Sequence, residues 1–207
     1  MQYVCRQASS REEKKQAREI VLAEYVRSGY ITEEAFHSGN ADILPSDQAL
    51  HSDQGMTLVI PFEERIIGTV SVVLDSPGGF PMDSLYHTEL EKLRHSGCRL
   101  AEVVQLATDK TFISELSSVG AELSLLLSLF QGLIRIGKEK DIDGLCITVN
   151  PKHDRFYTEI GFVAIGPERQ YAALEGAPAL PKVLYWKKSL QNAKDKGGIL
   201  HLLSGEL

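Results

Sequence analysis

ITVNPKHDRFYTEIGF, residues 147–162, changes its periodicity halfway along. With Gly144, Leu145 and Cys146 in front of it, its first part is a β-branched, apolar run, which reads as a buried strand over 144–150. Pro151 fits the first turn of the helix that follows, where its missing N–H is not needed. Gly161 supplies the stop, and 162–165 starts another strand. A strand that feeds a helix, which returns to a strand, is the building pattern of an α/β sheet protein.

The flanking sequence extends that pattern in both directions. Toward the C-terminus, 182–187 reads as the last strand after a loop containing Pro and Gly, and the KDKGG run beyond Gln191 reads as a peripheral tail. Toward the N-terminus, Leu123, Leu126, Leu127, Phe130, Leu133 and Ile134 recur at i, i+3, i+4 and i+7, which predicts a helix over 119–139. Residues 100–107 read as a strand, and 108–120 as a loop. Asp83 offers a cap for a short helix over 85–95 that Gly97 ends. Two apolar runs, 56–62 and 66–74, flank Glu63-Glu64-Arg65 as the strands of a hairpin would, and DSPGG at 75–79 closes the second. The polar stretch 32–53 reads as a loop with a short helix at 33–37. Ser10, with Glu13 three residues on, has the capping-box spacing for a helix over 10–28, closed by Gly29 and preceded by a strand at 3–7. The expectation is a single domain over 1–190, a mixed sheet flanked by helices, with a C-terminal tail at 191–207.

Composition excludes several classes. The 207 residues are 43% hydrophobic and 24% charged, an ordinary globular balance. Lys and Arg total 22 against 28 Asp and Glu, a net charge of −6, so no broad basic face is expected for nucleic acid or anionic membrane. No apolar run is long enough for an integral membrane segment, and the N-terminus lacks a secretory pattern, which points to the cytoplasm. Cys5, Cys98 and Cys146 are odd in number and far apart, as reduced thiols would be. The six histidines show no metal-ligand spacing, so no metal is expected.

The order of elements and the 147–162 segment resemble the GNAT N-acyltransferases. Four blocks narrow the resemblance: YVRSGYI at 25–31, GTVSVVLDS at 68–76, GFPMDSLYHTELEKLRHSGCRLAEVVQLATD at 79–109 and NPKHDRFYTEIGF at 150–162. In that order they resemble the long-chain N-acyl amino acid synthases, a GNAT-fold family related to the acyl-homoserine lactone autoinducer synthases. The resemblance implies an N-acyltransferase that moves a long-chain acyl group from acyl carrier protein to the amine of an amino acid. Attack on the thioester would be direct, with no covalent enzyme intermediate. No cofactor is implied; the thioester of carrier protein or CoA is a co-substrate.

The resemblance also assigns roles. Glu102 stands where the related synthases place a Glu beside the thioester, and would take the proton of the amine; the competing reading is a Glu on the exposed face of a strand end. Val104 and Gln105 follow it where the family often has Ser with a basic or apolar residue. Gln105, Leu106 and Ala107 are the donor-binding candidates on this strand, with its backbone N–H groups holding the carbonyl. Gly120 is alone where CoA-dependent enzymes of the fold carry a glycine-rich pyrophosphate loop, which suits a carrier-protein donor. His153 and Arg155 are further donor-binding candidates. Tyr157 would protonate the leaving thiolate, or else packs its ring on the sheet. Lys152, His153 and Arg155, with Arg135, Lys138 and Lys140, could form a basic patch for the acidic carrier, or simply solvated helix-end charge. Tyr25, Tyr30 and Asp75 are candidates for the acceptor, and the leucines of 123–129 either line an acyl channel or belong to the core. His87, His95 and Cys98 are assigned no chemistry. Two rivals stand beside this reading: an acyl-CoA-dependent GNAT enzyme acting on another amine, and a non-catalytic acyl-binding module.

Overall fold

The computed structural model describes residues 3–37, 44–116, 120–189 and 191. The expected C-terminal tail, apart from Gln191, and residue 119 of the expected long helix lie outside them. Eight strands form a mostly antiparallel sheet flanked by helices: β1 (Arg6–Gln7), β2 (Gly55–Phe62), β3 (Arg65–Leu74), β4 (Leu100–Thr108), β5 (Gly144–Val149), β6 (Val163–Ala164), β7 (Arg169–Tyr171) and β8 (Ala177–Leu184). Their order is β1-β2-β3-β4-β5-β8-β6, with β7 on β8. The helices are α1 (Arg11–Arg27), α2 (Glu33–His37), α3 (Asp47–Leu50), α4 (Asp83–His95), α5 (Lys110–Glu115), α6 (Ala121–Glu139) and α7 (Asp154–Ile160). The chain divides into two compact units, Met1–Val72 with Val104–Leu133, and Val73–Val103 with Ile134–Leu207.

In the first unit, α1 begins as its spacing predicts. Ser10 Oγ accepts from Glu13 N–H at 3.1 Å, while the Glu13 carboxylate reaches back one residue further than expected, to Ser9 N–H at 2.6 Å. Arg6 donates to both oxygens of that carboxylate. The helix lays Ala17 against Ala8, Val59 and Ile66, and Gln16 accepts from the Ile66 N–H at 2.9 Å. The hairpin of β2 and β3 is buried on both faces, with Leu58, Val59, Ile60, Ile67, Val70 and Val72 sealed from solvent.

Three expectations need correction here. The loop expected at 32–53 holds a second helix, α3. The 108–120 loop holds α5, which Asp109 caps by accepting the Phe112 N–H at 3.0 Å. The expected stripe of α6 holds in its second half, where Phe130, Leu133 and Ile134 are buried, but not in its first, where Leu123 is 39% exposed and Leu125 and Leu129 are sealed while Leu126 and Leu127 are half-buried. An LSLLLSL run is apolar all round, so its period does not fix which face turns inward. Small residues do: Gly132 lies so close to Cys5 that a Cβ would stand 2.5 Å from its sulfur, and Ser128 donates to Tyr3 O at 2.9 Å.

In the second unit, β4 pairs in parallel with β5, placing Leu100 across from Gly144 and Glu102 across from Cys146. β8 runs antiparallel to β5 from Leu145↔Leu184 to Val149↔Leu180. Asn150 accepts from Lys152 N–H at 3.1 Å and so closes the turn that Pro151 opens; α7 follows, and Gly161 ends it with a φ of +103°. The Lys182 side chain on β8 is buried and pins α7 through Asp154 and Thr158. The sequence pattern places the last strand at 182–187, but Ala177–Leu184 pairs instead, and β7 forms within the stretch that the pattern gives as loop. Asp83 does not cap α4 either. The N-cap is Met82, and the Asp83 carboxylate turns back to the Phe80 N–H at 2.6 Å.

Candidate active site

The second unit gathers ionisable groups around the middle of β4. Glu102 lies on that strand at only 3% exposure, so the reading as an exposed strand-end carboxylate does not describe it. Its Oε2 accepts the Met82 N–H at 3.0 Å. Burial pushes its pKa up to about 8; the Met82 hydrogen bond works against the rise, and the nearby Asp83 carboxylate adds to it. Such a carboxyl changes charge near neutral pH, where an ordinary glutamate is fully ionised.

The neighbouring acids are gathered by one cation. Arg94 donates through Nε and Nη2 to Asp75 at 2.8 and 3.0 Å, through Nη1 and Nη2 to Asp83 at 2.8 and 2.7 Å, and through Nη1 to Glu91 at 2.9 Å. On a straight helix Asp83 would stand roughly 16 Å from Arg94 along the axis. The break in α4 at Tyr86, with φ −126° and ψ 28°, lets the first turn fold back toward the guanidinium. Desolvation would raise the Asp83 pKa, but the hydrogen bonds from Arg94 and Phe80 N–H outweigh it and hold this carboxyl below its ordinary value. The hydrogen bonds to Asp83 and Asp75 raise the already high Arg94 pKa further. Across the strand pair, burial and then the Glu102 charge push the Cys146 thiol far up, which makes it an inert core thiol and no nucleophile.

β7 and α4 complete this wall. Arg169 bonds the Leu85 carbonyl and Glu89 and lies over the Tyr86 ring, while Tyr86 donates to Ala179 O at 2.6 Å. Two residues along the same strand face, Tyr171 donates to Pro81 O at 3.4 Å. Sequence reasoning reached neither Arg94 nor Tyr171. Arg94 stands in the 79–109 segment, where Asp83 and Glu91 on the same expected helix invite a charge-pairing argument, but Tyr171 carries no local signal.

The other candidates of this unit are placed as follows. Tyr157 is half-buried on α7, with its ring edge-on to Phe156 at 5.3 Å and Phe162 at 5.6 Å. His153 and Arg155 are exposed, and Arg155 bonds Glu159 one turn on. Lys152, Arg135, Lys138 and Lys140 are exposed as well. Asp75 is held by Arg94 as described. His87 lies against Asp83, and Cys98 against Ser96.

In the first unit, Gln105 is a buried residue with a φ of +55° in the middle of β4. A non-glycine residue in that region marks a local kink in a strand, a feature that concentrates near functional sites. Its amide donates to Ser46 Oγ at 3.0 Å and Asp47 Oδ1 at 2.9 Å. Asp47 in turn accepts from Arg18 and from Leu44 N–H, each at 2.9 Å. The glutamine is thus a built member of a buried network, and α3, absent from the sequence reading, supplies both partners, Asp47 in its first turn and Ser46 at its N-cap. Leu106 is half-buried and Ala107 buried on the same strand. Tyr25 and Tyr30 stack edge to face at 5.5 Å, both half-buried.

Among the described residues, no group of three or more His, Cys, Asp or Glu could hold a metal ion, and no helix is long and apolar enough to cross a membrane. A family model for the N-acyl amino acid synthase FeeM matches residues 16–184. Among solved structures, FeeM, an N-acyl amino acid synthase from uncultured soil microbes, is 34% identical with a TM-score of 0.77, over 92% of this chain and 95% of that one. The CoA-dependent acyl-homoserine lactone synthase BjaI is 14% identical, with a TM-score of 0.61 over 94% and 89% of the two chains. An acyl-CoA N-acyltransferase from Pseudomonas aeruginosa is 12% identical, with a TM-score of 0.54 over 88% and 99%. The last two share the GNAT fold and nothing finer. Comparison with curated protein sequences found no match.

Proposed function

The chain belongs to the N-acyl amino acid synthase family and is an N-acyltransferase, and we propose that it moves a long-chain acyl group from acyl carrier protein to the amine of an amino acid by direct attack. The observation that carries the reading is the buried Glu102 carboxyl, whose proton affinity is matched to an amine at neutral pH. An amino acid arrives as its ammonium form and has no lone pair to attack with. Glu102, ionised, takes that proton directly or through a water. The free amine adds to the thioester carbonyl, the C–N bond forms, the C–S bond breaks, and the second nitrogen proton leaves with the thiolate. Tyr157 is the proposed relay for that proton: its hydroxyl protonates the thiolate and is reprotonated by the second nitrogen proton, so one proton reaches the thiol and the tyrosine ends neutral.

The finer assignments follow the same reading. Gln105, Leu106 and Ala107 are proposed to contact the donor, and so, separately, are His153 and Arg155. Tyr25 and Tyr30 are proposed for the acceptor. The exposed cations Lys152, His153, Arg155, Arg135, Lys138 and Lys140 supply charge that an acidic carrier protein would meet. No cofactor enters the chemistry, and the enzyme would work in the cytoplasm, where both substrates are made.

The test is thiol release from purified protein with long-chain acyl carrier protein, long-chain acyl-CoA or acetyl-CoA, each against a pool of amino acids, with mass spectrometry of the products. An N-acyl amino acid formed mainly from the carrier donor supports the proposal and names the acceptor. Release from CoA donors alone, or donor binding without product, overturns it.

A further inference from the structure

The Met82 N–H that Glu102 accepts belongs to the same peptide group as the Pro81 carbonyl. That carbonyl has two side-chain donors: Ser84 Oγ at 2.9 Å and Tyr171 Oη at 3.4 Å. One planar amide therefore joins Tyr171 and Ser84 on one side to Glu102 on the other, through Oη–H···O=C–N–H···Oε2. Hydrogen bonds to an amide oxygen withdraw electrons from its N–H and make it a stronger donor, by roughly 10–30% per bond. A stronger Met82 N–H favours the ionised form of the carboxyl it touches.

Tyr171 is held in place by its surroundings. It shares a face of β7 with Arg169, which α4 grips through Leu85 and Glu89, and β7 is paired to β8 with Tyr171 across from Ala177. Its hydroxyl and that of Ser84 each give their single proton to the Pro81 carbonyl. Burial raises the Tyr171 pKa, the nearby Ser84 hydroxyl opposes the rise and the Glu102 charge adds to it, so the phenol stays a neutral donor at working pH.

We propose that Tyr171 is a positioning residue for Glu102, acting through the Pro81–Met82 peptide, with Ser84 as its local partner. The inference rests on Glu102 as the proton acceptor. The charged and titratable groups that face Glu102 are Asp83 on α4, tied to Arg94, Cys146 on β5 and Tyr171 on β7. Arg94 neutralises Asp83, and Cys146 keeps its proton, so neither titrates in the range where Glu102 does. The tyrosine hydroxyl and the serine hydroxyl remain as the two groups that adjust it through the peptide.

The experiment reads the Glu102 titration without using activity, as the infrared carboxyl band of wild type minus that of Glu102→Gln, followed with pH. Tyr171→Phe is expected to move the midpoint upward by roughly 0.3–0.5 pH unit, leaving two- to three-fold less base at neutral pH. Its kcat/KM deficit should narrow as pH rises past the new midpoint. A packing defect would lower the rate evenly at every pH. Ser84→Ala acts on the same carbonyl from an exposed position, and gives the same upward movement if Tyr171→Phe does not fold. A midpoint unmoved in whichever of these variants folds overturns the proposal. Full turnover in Glu102→Gln would instead remove the base assignment, a separate result from a separate variant.

Discussion

Replacing Glu102 with glutamine should raise stability and abolish most of the activity, and the size of the first effect should depend on pH. The folded protein keeps the Glu102 proton until about pH 8, whereas an unfolded glutamate gives it up near 4.5. Between those values the native state binds more protons than the unfolded one, so stability falls as pH rises through the window. At about 1.36 kcal/mol for each pH unit, the wild type loses about 5 kcal/mol by the time Glu102 is ionised. That is a large share of the roughly 5–15 kcal/mol that holds a domain together. Glutamine keeps an oxygen for the Met82 N–H and never ionises, so Glu102→Gln escapes the loss. Urea unfolding of both proteins at about pH 5 and about pH 9 isolates the effect, because every other titrating group cancels in the difference. The two should be within about 1 kcal/mol of each other at the lower pH, with the variant ahead by several kcal/mol at the higher. Turnover should drop by about 10²–10⁴-fold with donor binding unchanged. A stability difference that is the same at both pH values would refute the reasoning, since it would mean that Glu102 titrates like an exposed glutamate.

Three further outcomes follow from the same structure. Arg94→Met leaves Asp75 and Asp83 without their shared cation; urea unfolding should show a loss of roughly 3–5 kcal/mol, and the acid limb of the pH–rate profile should move upward as Asp83 repels the Glu102 charge. Gln105→Leu removes the amide that Ser46 and Asp47 accept from, and should cost about 1–3 kcal/mol in the same assay; Gln105→Glu should cost more, by placing a second carboxylate against Asp47. Gly132→Ala drives a methyl into the Cys5 sulfur and should cost about 1–3 kcal/mol, most of it recovered in the Gly132→Ala, Cys5→Ala double variant, as thermal unfolding of the four proteins would show.

Much of the fold was legible because its signals are local. The Ser10 cap, the charged break between β2 and β3, Pro151 ahead of α7 and Gly161 behind it each act within a few residues, so the chain carries them whatever surrounds it. The position of Glu102 on a central strand, within blocks resembling known synthases, was legible for the same reason. The short α3 and α5 were missed because a four- or six-residue helix shows no period of its own and is stabilised mainly by what it packs against. The inward face of α6 was legible at Phe130, Leu133 and Ile134 but not in the LSLLLSL run before them, where leucines stand on every side and the packing of Gly132 and Ser128 selects the face.

The sequence by itself determined which residue types stand on which strand and helix, and so the family and the candidate base. Only the tertiary structure decided that Glu102 is buried beside Asp83, that Gln105 bends its strand into a network with Asp47, and that Tyr171 meets the Pro81 carbonyl. A proton affinity depends on solvent and charge in three dimensions, and residues 69 positions apart in the chain reach one peptide through the sheet order, which no local pattern encodes.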